Sequence, residues 1–290
     1  MSKINIEGLG AIIGDIAGSR FEFNNNATGR KDFDLLTKDC FFTDDTVCTV
    51  AVKQALIDRE NCHDYSDKYL RRRTIRNLQE FCRKYNNRGY GTSFEQWIDD
   101  AFPRPYYSCG NGAAMRISPV GFYADDLPEI RKLSNIVTSV THSHPCGLLG
   151  AEAAATAIWY AKRNYKKIAI KGYISHRFYP EIRNNDIFNI DFLQKHYDWN
   201  WNGNGELAQN SVPQAIVCFL LSESFEDAIR NAISIGGDSD TIAAITGGIA
   251  EAYYGVPEYL KEKVLEYLPD EFIDIMATKI SNNGGDKDAE

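Results

Sequence analysis

The sequence predicts an all-α protein, and two observations support this. Apolar residues recur at spacings of three and four in eight segments, the pattern of helices that bury one face. No segment alternates polar and apolar residues convincingly, as a half-buried strand would. The apolar stretch 168–170 could pass for a strand but is too short to outweigh its helical surroundings. The predicted helices span 8–19, 43–59, 64–85, 128–141, 145–163, 206–221, 225–235 and 238–254.

Polar, turn-forming residues separate these helices at 24–38, 86–92, 102–111, 183–190 and 198–205. Clusters of this kind mark loops between helices, and none has the composition of a domain linker. The stretch 281–290 is polar, charged and glycine-containing, so we expect a disordered tail there. The sequence therefore predicts a single domain over 1–280.

Two of the predicted helices are rich in small residues. Gly10, Gly14 and Gly18 recur at four-residue spacing in the first helix, and alanine and glycine crowd 243–250 in the last. Glycine inside a helix costs about 1 kcal/mol relative to alanine, so its repeated use needs compensation. We expect central helices that cross with their backbones close together.

Composition and charge narrow the class of protein. The 290 residues include 43% hydrophobic and 25% charged residues, which are ordinary globular values. A net charge of -8 repels a phosphate backbone, so nucleic acid is not expected as a general partner. Seven cysteines without a C-x-x-C pair favour a reducing compartment. With no signal peptide or membrane span indicated, we expect a cytoplasmic protein.

Two acidic motifs each lie directly before a predicted helix: FFTDDT at 41–46 and GGDSDT at 236–241. Threonine or aspartate at a helix start is often only a cap, so either motif alone proves little. Together they offer four carboxylates, and hard divalent cations prefer such oxygen ligands. The candidate ligands of a metal site are Thr43, Asp44, Asp45, Asp238, Asp240 and Thr241.

Three further motifs have weaker functional signals. In GDIAGSRFE at 14–22, Asp15 is more typical of a satisfied structural group, and a lone Glu22 just past the helix is by default a surface residue. The glycine-rich turn in SCGNGAAMRISPVG at 108–121 could cradle phosphate or ribose oxygens. The histidines of THSHP, His142 and His144, lack a third zinc ligand at suitable spacing, which favours a loop near the site.

In their order along the chain, these motifs resemble the ADP-ribosylglycohydrolase family. The resemblance spans nearly the whole chain and rests on GDIAGSRFE, FFTDDT, GNGAAMRISPVG, THSHP and GGDSDTIAAITGGIAEAYYG. It implies a compact orthogonal multi-helix bundle. It also implies that the six residues above hold two magnesium or manganese ions (Mg²⁺ or Mn²⁺).

The resemblance assigns roles to other positions as well. Glu22 falls where the serine-type hydrolases carry a mobile catalytic glutamate. The loop Gly110, Asn111 and Gly112 corresponds to the family's ribose and phosphate contacts. His142 and Gly147 fall in a segment similar to a phosphate or adenosine-side loop. No residue matches the guanidinium-recognising groups of the arginine-type members, so the modified partner stays open.

The expected activity is hydrolysis of the glycosidic bond at the ribose anomeric carbon, which releases ADP-ribose. Glu22, Asp44 and Asp45 are the candidate catalytic acids or bases. The substrate would be an ADP-ribosylated protein or small molecule. The alternatives are a hydrolase of a small derivative such as O-acetyl-ADP-ribose and a non-catalytic ADP-ribose-binding module. A degenerate binding module would be expected to lose a ligand, whereas each matching position here has an oxygen ligand.

Overall fold

The computed structural model describes residues 6–22, 29–183, 188–196 and 205–280, and this part of the chain is all-α. Its only β-type pairing is an isolated bridge between Gly110 and Leu207. The helices are α1 (Leu9–Glu22), α2 (Asp44–Cys62), α3 (Asp67–Lys84), α4 (Thr92–Asp99), α5 (Ser118–Tyr123), α6 (Leu127–Thr138), α7 (Pro145–Lys162), α8 (Lys167–Arg177), α9 (Ile190–His196), α10 (Ala208–Leu221), α11 (Phe225–Ser234), α12 (Ser239–Tyr254), α13 (Glu258–Leu265) and α14 (Asp270–Ala277). Short 3₁₀ turns lie at Asn111–Ala113 and Pro180–Arg183.

Helices α1 and α12 form the centre of the fold, and their small residues face each other. A Cβ atom on Gly10 would lie 2.3 Å from the carbonyl oxygen of Gly247. A Cβ on Gly14 would lie 2.0 Å from the carbonyl oxygen of Ala243. Because these neighbours are backbone atoms, a larger residue could not be accommodated by a side-chain rotation. The predicted close crossing of small-residue helices is confirmed.

The other long helices enclose this central pair. Helix α12 contacts α7, α10 and α11 as well as α1, and it is buried from Ser239 to Ala250. Helices α3, α6 and α11 lie further out and have one apolar and one polar face, as surface helices do. The buried apolar side chains form one continuous core. This core holds the ends of the central helices in fixed positions.

Several helices were not predicted, and one ends later than expected. Helices α4, α5, α8, α9, α13 and α14 have between 6 and 11 residues, so each contains few repeats of the helical period. The possible strand at 168–170 lies within α8. Helix α1 continues to Glu22, three residues beyond the predicted end at 19. Glu22 is therefore in the last turn of the helix and not past it.

Two expectations concern the chain as a whole: the lack of a membrane span, and a single domain followed by a tail. No helix in the described ranges is long and apolar enough to cross a membrane. The predicted tail at 281–290 lies outside the described residues, and the single-domain boundary stays a prediction.

Candidate active site

Three helix ends meet at one pocket of about 500 Å³. Glu22 ends α1, Asp44 and Asp45 begin α2, and Asp238 precedes α12. The two acidic motifs start 195 residues apart in the chain, at 41 and 236, and yet share one cavity. Of the predicted site residues, those lining the pocket are Glu22, Asp44, Asp45, Gly110, Asn111, Gly112, His142, Asp238, Asp240 and Thr241. Thr43 and Gly147 do not line it.

The start of α2 is held by a buried carboxylate on α1. Asp15 accepts hydrogen bonds from the backbone N–H of Thr43 at 3.1 Å and of Thr46 at 3.0 Å. It also accepts from the hydroxyls of both threonines, with Thr43 Oγ1 at 2.7 Å. Thr43 in turn caps the helix, because its Oγ1 accepts from the N–H of Asp45 at 3.3 Å. Asp15 is the satisfied structural group that the sequence predicted.

The start of α12 depends on three glycines. Gly236 and Gly237 have φ of 77° and 76°, a left-handed conformation that L side chains rarely adopt. Gly18 lets α1 approach, since its Cβ would lie 2.5 Å from Asp240 Cα. Asp238 is at the N-cap position but makes no capping hydrogen bond. Its Oδ2 instead accepts from Asn111 Nδ2 at 2.6 Å, so a simple capping role does not explain this residue.

A direct hydrogen bond joins the two acidic motifs. Thr241 Oγ1 donates to Asp45 Oδ2 at 3.1 Å, while both residues are nearly fully buried. The other oxygen of this carboxylate, Asp45 Oδ1, is buried without a partner. Asp240 Oδ1 accepts from the N–H of Thr241 at 2.9 Å, which fixes the Asp240 side chain at the first turn of α12. The expectation that the two motifs meet in space is confirmed.

The carboxylates form a group that could hold a metal ion. One oxygen from each of Glu22, Asp238 and Asp240 lies within 4.8 Å of the other two. Glu22 Oε2 is also buried without a hydrogen-bond partner. Unpaired, desolvated oxygens of this kind are costly unless a cation or donor satisfies them, and an all-oxygen set suits a hard divalent cation. The compact group includes Glu22, which the sequence suggested only as a catalyst, whereas Asp44 and Asp45 lie elsewhere on the pocket wall.

Burial and crowding make these acids hard to ionise. Burial raises the pKa of Asp45 and of Asp240 well above the usual range, and neighbouring carboxylates raise both further. Burial raises the pKa of Asp44 likewise, with the Cys48 thiol as the next cause. The pKa of Glu22 is raised to about 7, chiefly by burial, although a hydrogen bond to Asp240 opposes the increase. A bound cation would favour the ionised forms, because opposite charge stabilises a carboxylate.

The glycine-rich loop closes one side of the pocket. The N–H of Asn111 donates to the carbonyl of Glu206 at 2.8 Å, and the N–H of Gly110 donates to Ser108 Oγ at 3.1 Å. These contacts, with the Asn111 bond to Asp238, tie the loop to both the 205–208 segment and the acidic group. The loop therefore lines the pocket directly beside the acidic group.

The two histidines of THSHP have separate positions. His142 is buried and lines the pocket, whereas His144 caps α7 by accepting from the N–H of Cys146 at 3.1 Å. The group of possible metal ligands found in the described residues is formed by Glu22, Asp238 and Asp240 and includes neither histidine. A Cβ on Gly147 would lie 3.1 Å from His142 Cβ and 2.9 Å from the Ser108 carbonyl. Gly147 therefore gives His142 room behind the pocket wall.

Sequence reasoning missed several pocket residues. Glu206 lines the pocket, and burial followed by repulsion from Asp238 raises its pKa. Arg116 and Tyr106 also contribute to the wall. Glu206 lies in the loop segment before α10 and shows no local pattern. Arg116 lies within the predicted motif at 108–121 and is 1% exposed, but the sequence pattern gave no sign that this arginine would be buried.

The fold and site define a class of protein, and comparison with known proteins agrees. The model of the family described as ADP-ribosylglycohydrolase matches residues 8–288. The chain therefore belongs to the ADP-ribosylglycohydrolase family, as its motifs predicted, and is a glycohydrolase enzyme.

Among individual proteins, the chain is similar to the ADP-ribosylhydrolase ARH3 of Homo sapiens, with 26% identity over 93% of this chain and 90% of that protein. ARH3 of Mus musculus is 25% identical over 86% of this chain and 83% of that protein. A solved structure titled ADP-ribosylglycohydrolase-related protein complex has a TM-score of 0.65 at 22% identity and covers 93% of both chains. That structural match confirms the fold.

Proposed function

We propose that this enzyme hydrolyses the glycosidic bond at the ribose anomeric carbon of an ADP-ribosylated substrate and releases ADP-ribose. One observation carries the proposal: the hydrogen bond from Thr241 to Asp45 brings both acidic motifs into one buried pocket. Family membership and the similarity to ARH3 proteins support the ADP-ribose part of the substrate. The enzyme is thus not the non-catalytic module that the sequence left open.

We further propose that the pocket binds two magnesium or manganese ions. Asp238 and Asp240 with Glu22 would hold one side of the site, and the Asp44 and Asp45 carboxylates the other. Thr241 lies between the two sides, whereas Thr43 does not line the pocket and would support the site by accepting a hydrogen bond from the N–H of Asp45. Bound ions would neutralise the carboxylates, orient ribose hydroxyls and make a water easier to deprotonate.

The side chains of the protein supply the remaining chemistry. Cleavage at the anomeric carbon passes through an oxocarbenium-like state, which nearby carboxylates stabilise electrostatically. We assign Glu22 as the group that takes a proton from the attacking water, because it belongs to the acidic group and its Oε2 is buried without a hydrogen-bond partner. The same proton, or one from Asp44 or Asp45, passes to the leaving group.

The glycine loop and His142 also line the pocket and would contact the ribose and phosphates. Gly110, Asn111 and Gly112 line the pocket next to Asp238, so a sugar bound over the carboxylates would lie beside them. Gly147 acts indirectly by making room for His142.

The linkage cleaved is the open part of this proposal. A panel of arginine-, serine- and acetyl-linked ADP-ribose substrates, each assayed for ADP-ribose release, tests it. Release from a protein-linked substrate supports protein de-ADP-ribosylation, whereas release only from O-acetyl-ADP-ribose supports the small-derivative alternative. No release from any of them, with either metal present, contradicts the proposed reaction.

A further inference from the structure

Three buried side chains form a continuous hydrogen-bonded row at the pocket wall, and Arg116 and His142 of this row line the pocket. Arg116, Thr141 and His142 are 1%, 0% and 4% exposed. Arg116 Nη2 donates to Thr141 Oγ1 at 2.7 Å, and Thr141 Oγ1 lies 2.7 Å from His142 Nδ1. His142 is the only member of the row with a role suggested by the sequence. The row therefore links a buried cation to a candidate ligand-binding imidazole.

The direction of each hydrogen bond follows from the donor inventory. A guanidinium has donors only, so the Thr141 oxygen must accept from Arg116. The hydroxyl has one proton left to donate, and the acceptors within reach are His142 Nδ1 at 2.7 Å and the Thr138 carbonyl at 3.5 Å. The shorter contact is much the stronger, so the hydroxyl donates to the imidazole. Nδ1 is then an acceptor, and the proton of the neutral ring lies on Nε2.

The electrostatic setting keeps this ring neutral. Burial lowers the pKa of His142 well below its ordinary value, and the nearby positive charge of Arg116 lowers it further. The ring is therefore held in a single protonation state and tautomer.

The protonated nitrogen faces the glycine loop. His142 Nε2 would lie 3.5 Å from a Cβ on Gly112 and 3.8 Å from one on Gly110, so the missing side chains leave that edge of the ring open. Within the described part of the chain, His142 makes hydrogen bonds through Nδ1 and its backbone N–H, and none involves Nε2. An N–H donor beside a glycine loop is suited to a ligand oxygen that only accepts.

We propose that Arg116 and Thr141 are positioning residues that fix His142 as a neutral Nε2–H donor toward an acceptor oxygen in the ribose-phosphate part of the ligand. This inference rests on the proposed function for the identity of that ligand. Its structural content, the tautomer, belongs to the protein alone. Thr141 does not line the pocket and acts through His142, whereas Arg116 lines the pocket and joins the row through its hydrogen bond to Thr141.

Nitrogen-15 NMR of the imidazole rings, in ligand-free protein at neutral pH, tests the tautomer directly. The His142 signals are assigned by their loss in His142→Gln. We expect Nδ1 to be unprotonated and Nε2 protonated in the wild type, and a mixture of tautomers in Thr141→Val. A protonated Nδ1 in the wild type overturns the proposal. Because no substrate is present, failure of the proposed reaction would leave this result unaffected.

Binding of ADP-ribose, measured by calorimetry with magnesium present, tests the consequence for the ligand. Thr141→Val keeps the shape but removes both hydrogen bonds, and we expect ADP-ribose to bind about tenfold to a hundredfold more weakly, the usual effect of losing a positioned donor. Thr141→Ser keeps the hydroxyl and should bind within about threefold of the wild type by the same scale. Arg116→Met should weaken binding of ADP-ribose as Thr141→Val does. If the Thr141→Val and Thr141→Ser variants bind ADP-ribose equally well, the positioning role is wrong.

Discussion

Replacing Gly18 with alanine tests how the central helices set up the site. The new Cβ would lie 2.5 Å from Asp240 Cα, 2.6 Å from Asp240 N and 2.6 Å from the Ser239 carbonyl oxygen. All three are backbone atoms, so no side chain can rotate away. Relief to the 3.4 Å of an ordinary contact requires α1 and the start of α12 to separate by about 0.9 Å.

Two effects of the Gly18→Ala substitution oppose each other in stability. Overpacking of this kind costs about 1 to 3 kcal/mol, and three backbone clashes favour the upper part of that range. Alanine regains about 1 kcal/mol of helix propensity. We expect net destabilisation of about 1 to 2 kcal/mol, which lowers Tm by roughly 2 to 8 °C for a chain of this size.

The displacement also reaches the acidic group, since Asp240 moves with the start of α12. A misplacement of about 1 Å can reduce turnover about a hundredfold, and we expect kcat to fall by that order. Gly172→Ala is the matched control, because its Cβ would meet nothing within 4 Å. That variant should be stabilised by up to about 1 kcal/mol with unchanged activity. A Gly18→Ala enzyme with wild-type Tm and kcat would refute the close-approach argument.

Three further expectations concern charge. Glu22→Gln should lower kcat by about two to four orders of magnitude with little change in ADP-ribose affinity, and activity within experimental scatter would exclude Glu22 from the chemical step. Added magnesium should stabilise the folded protein by about 2.7 kcal/mol at a hundredfold excess over Kd, which raises Tm. Asp240→Asn should abolish that rise in Tm. A rise preserved in the variant would exclude Asp240 as a ligand. Burial raises the pKa of Glu251 to about 7 from its ordinary value of 4.5, so the folded state favours its protonated form and loses stability as pH rises from about 4.5 through 7. Denaturant unfolding should therefore show the stability of Glu251→Gln relative to wild type increasing over that window by roughly 2 kcal/mol, and a pH-independent difference would contradict this.

The centre of the fold could be predicted because its signals are local. Glycine at four-residue spacing in α1 marks one face of a helix, and the energetic cost of those glycines implies a close neighbour. The paired acidic motifs likewise suggested each other as partners. Their meeting was predictable because buried carboxylates need a cation or hydrogen-bond donors, and a shared metal site would satisfy both motifs at once.

The composition of the acidic group was harder to predict. The spacing of apolar residues predicted that α1 ends at 19, so Glu22 was expected past the helix. In the structure Glu22 lies in the last turn of α1, close to Asp240. The apolar pattern stops before the helix does, because helix ends are set by capping and tertiary contacts. Asp15 shows the same limit, since its partners Thr43 and Thr46 lie 28 and 31 residues away.

The row behind His142 was also beyond sequence reasoning. Thr141 adjoins His142 in the chain, but Arg116 reaches it from the segment before α5. The glycine-rich motif suggested a role for its backbone amides but gave no sign that Arg116, which follows them, is buried. Only the folded arrangement brings these three side chains together.

ADP-ribose release by metal-free enzyme, before and after magnesium or manganese is restored, tests the central claim most directly. We expect no release with chelator present and full recovery on addition of either ion, on whichever linkage the substrate panel identifies. Asp240→Asn should stay inactive at saturating metal, although its amide oxygen can still accept from Thr241, while the exposed control Asp270→Asn recovers like the wild type. Undiminished release by chelator-treated enzyme, or by Asp240→Asn, would contradict a metal-dependent glycohydrolase at this site.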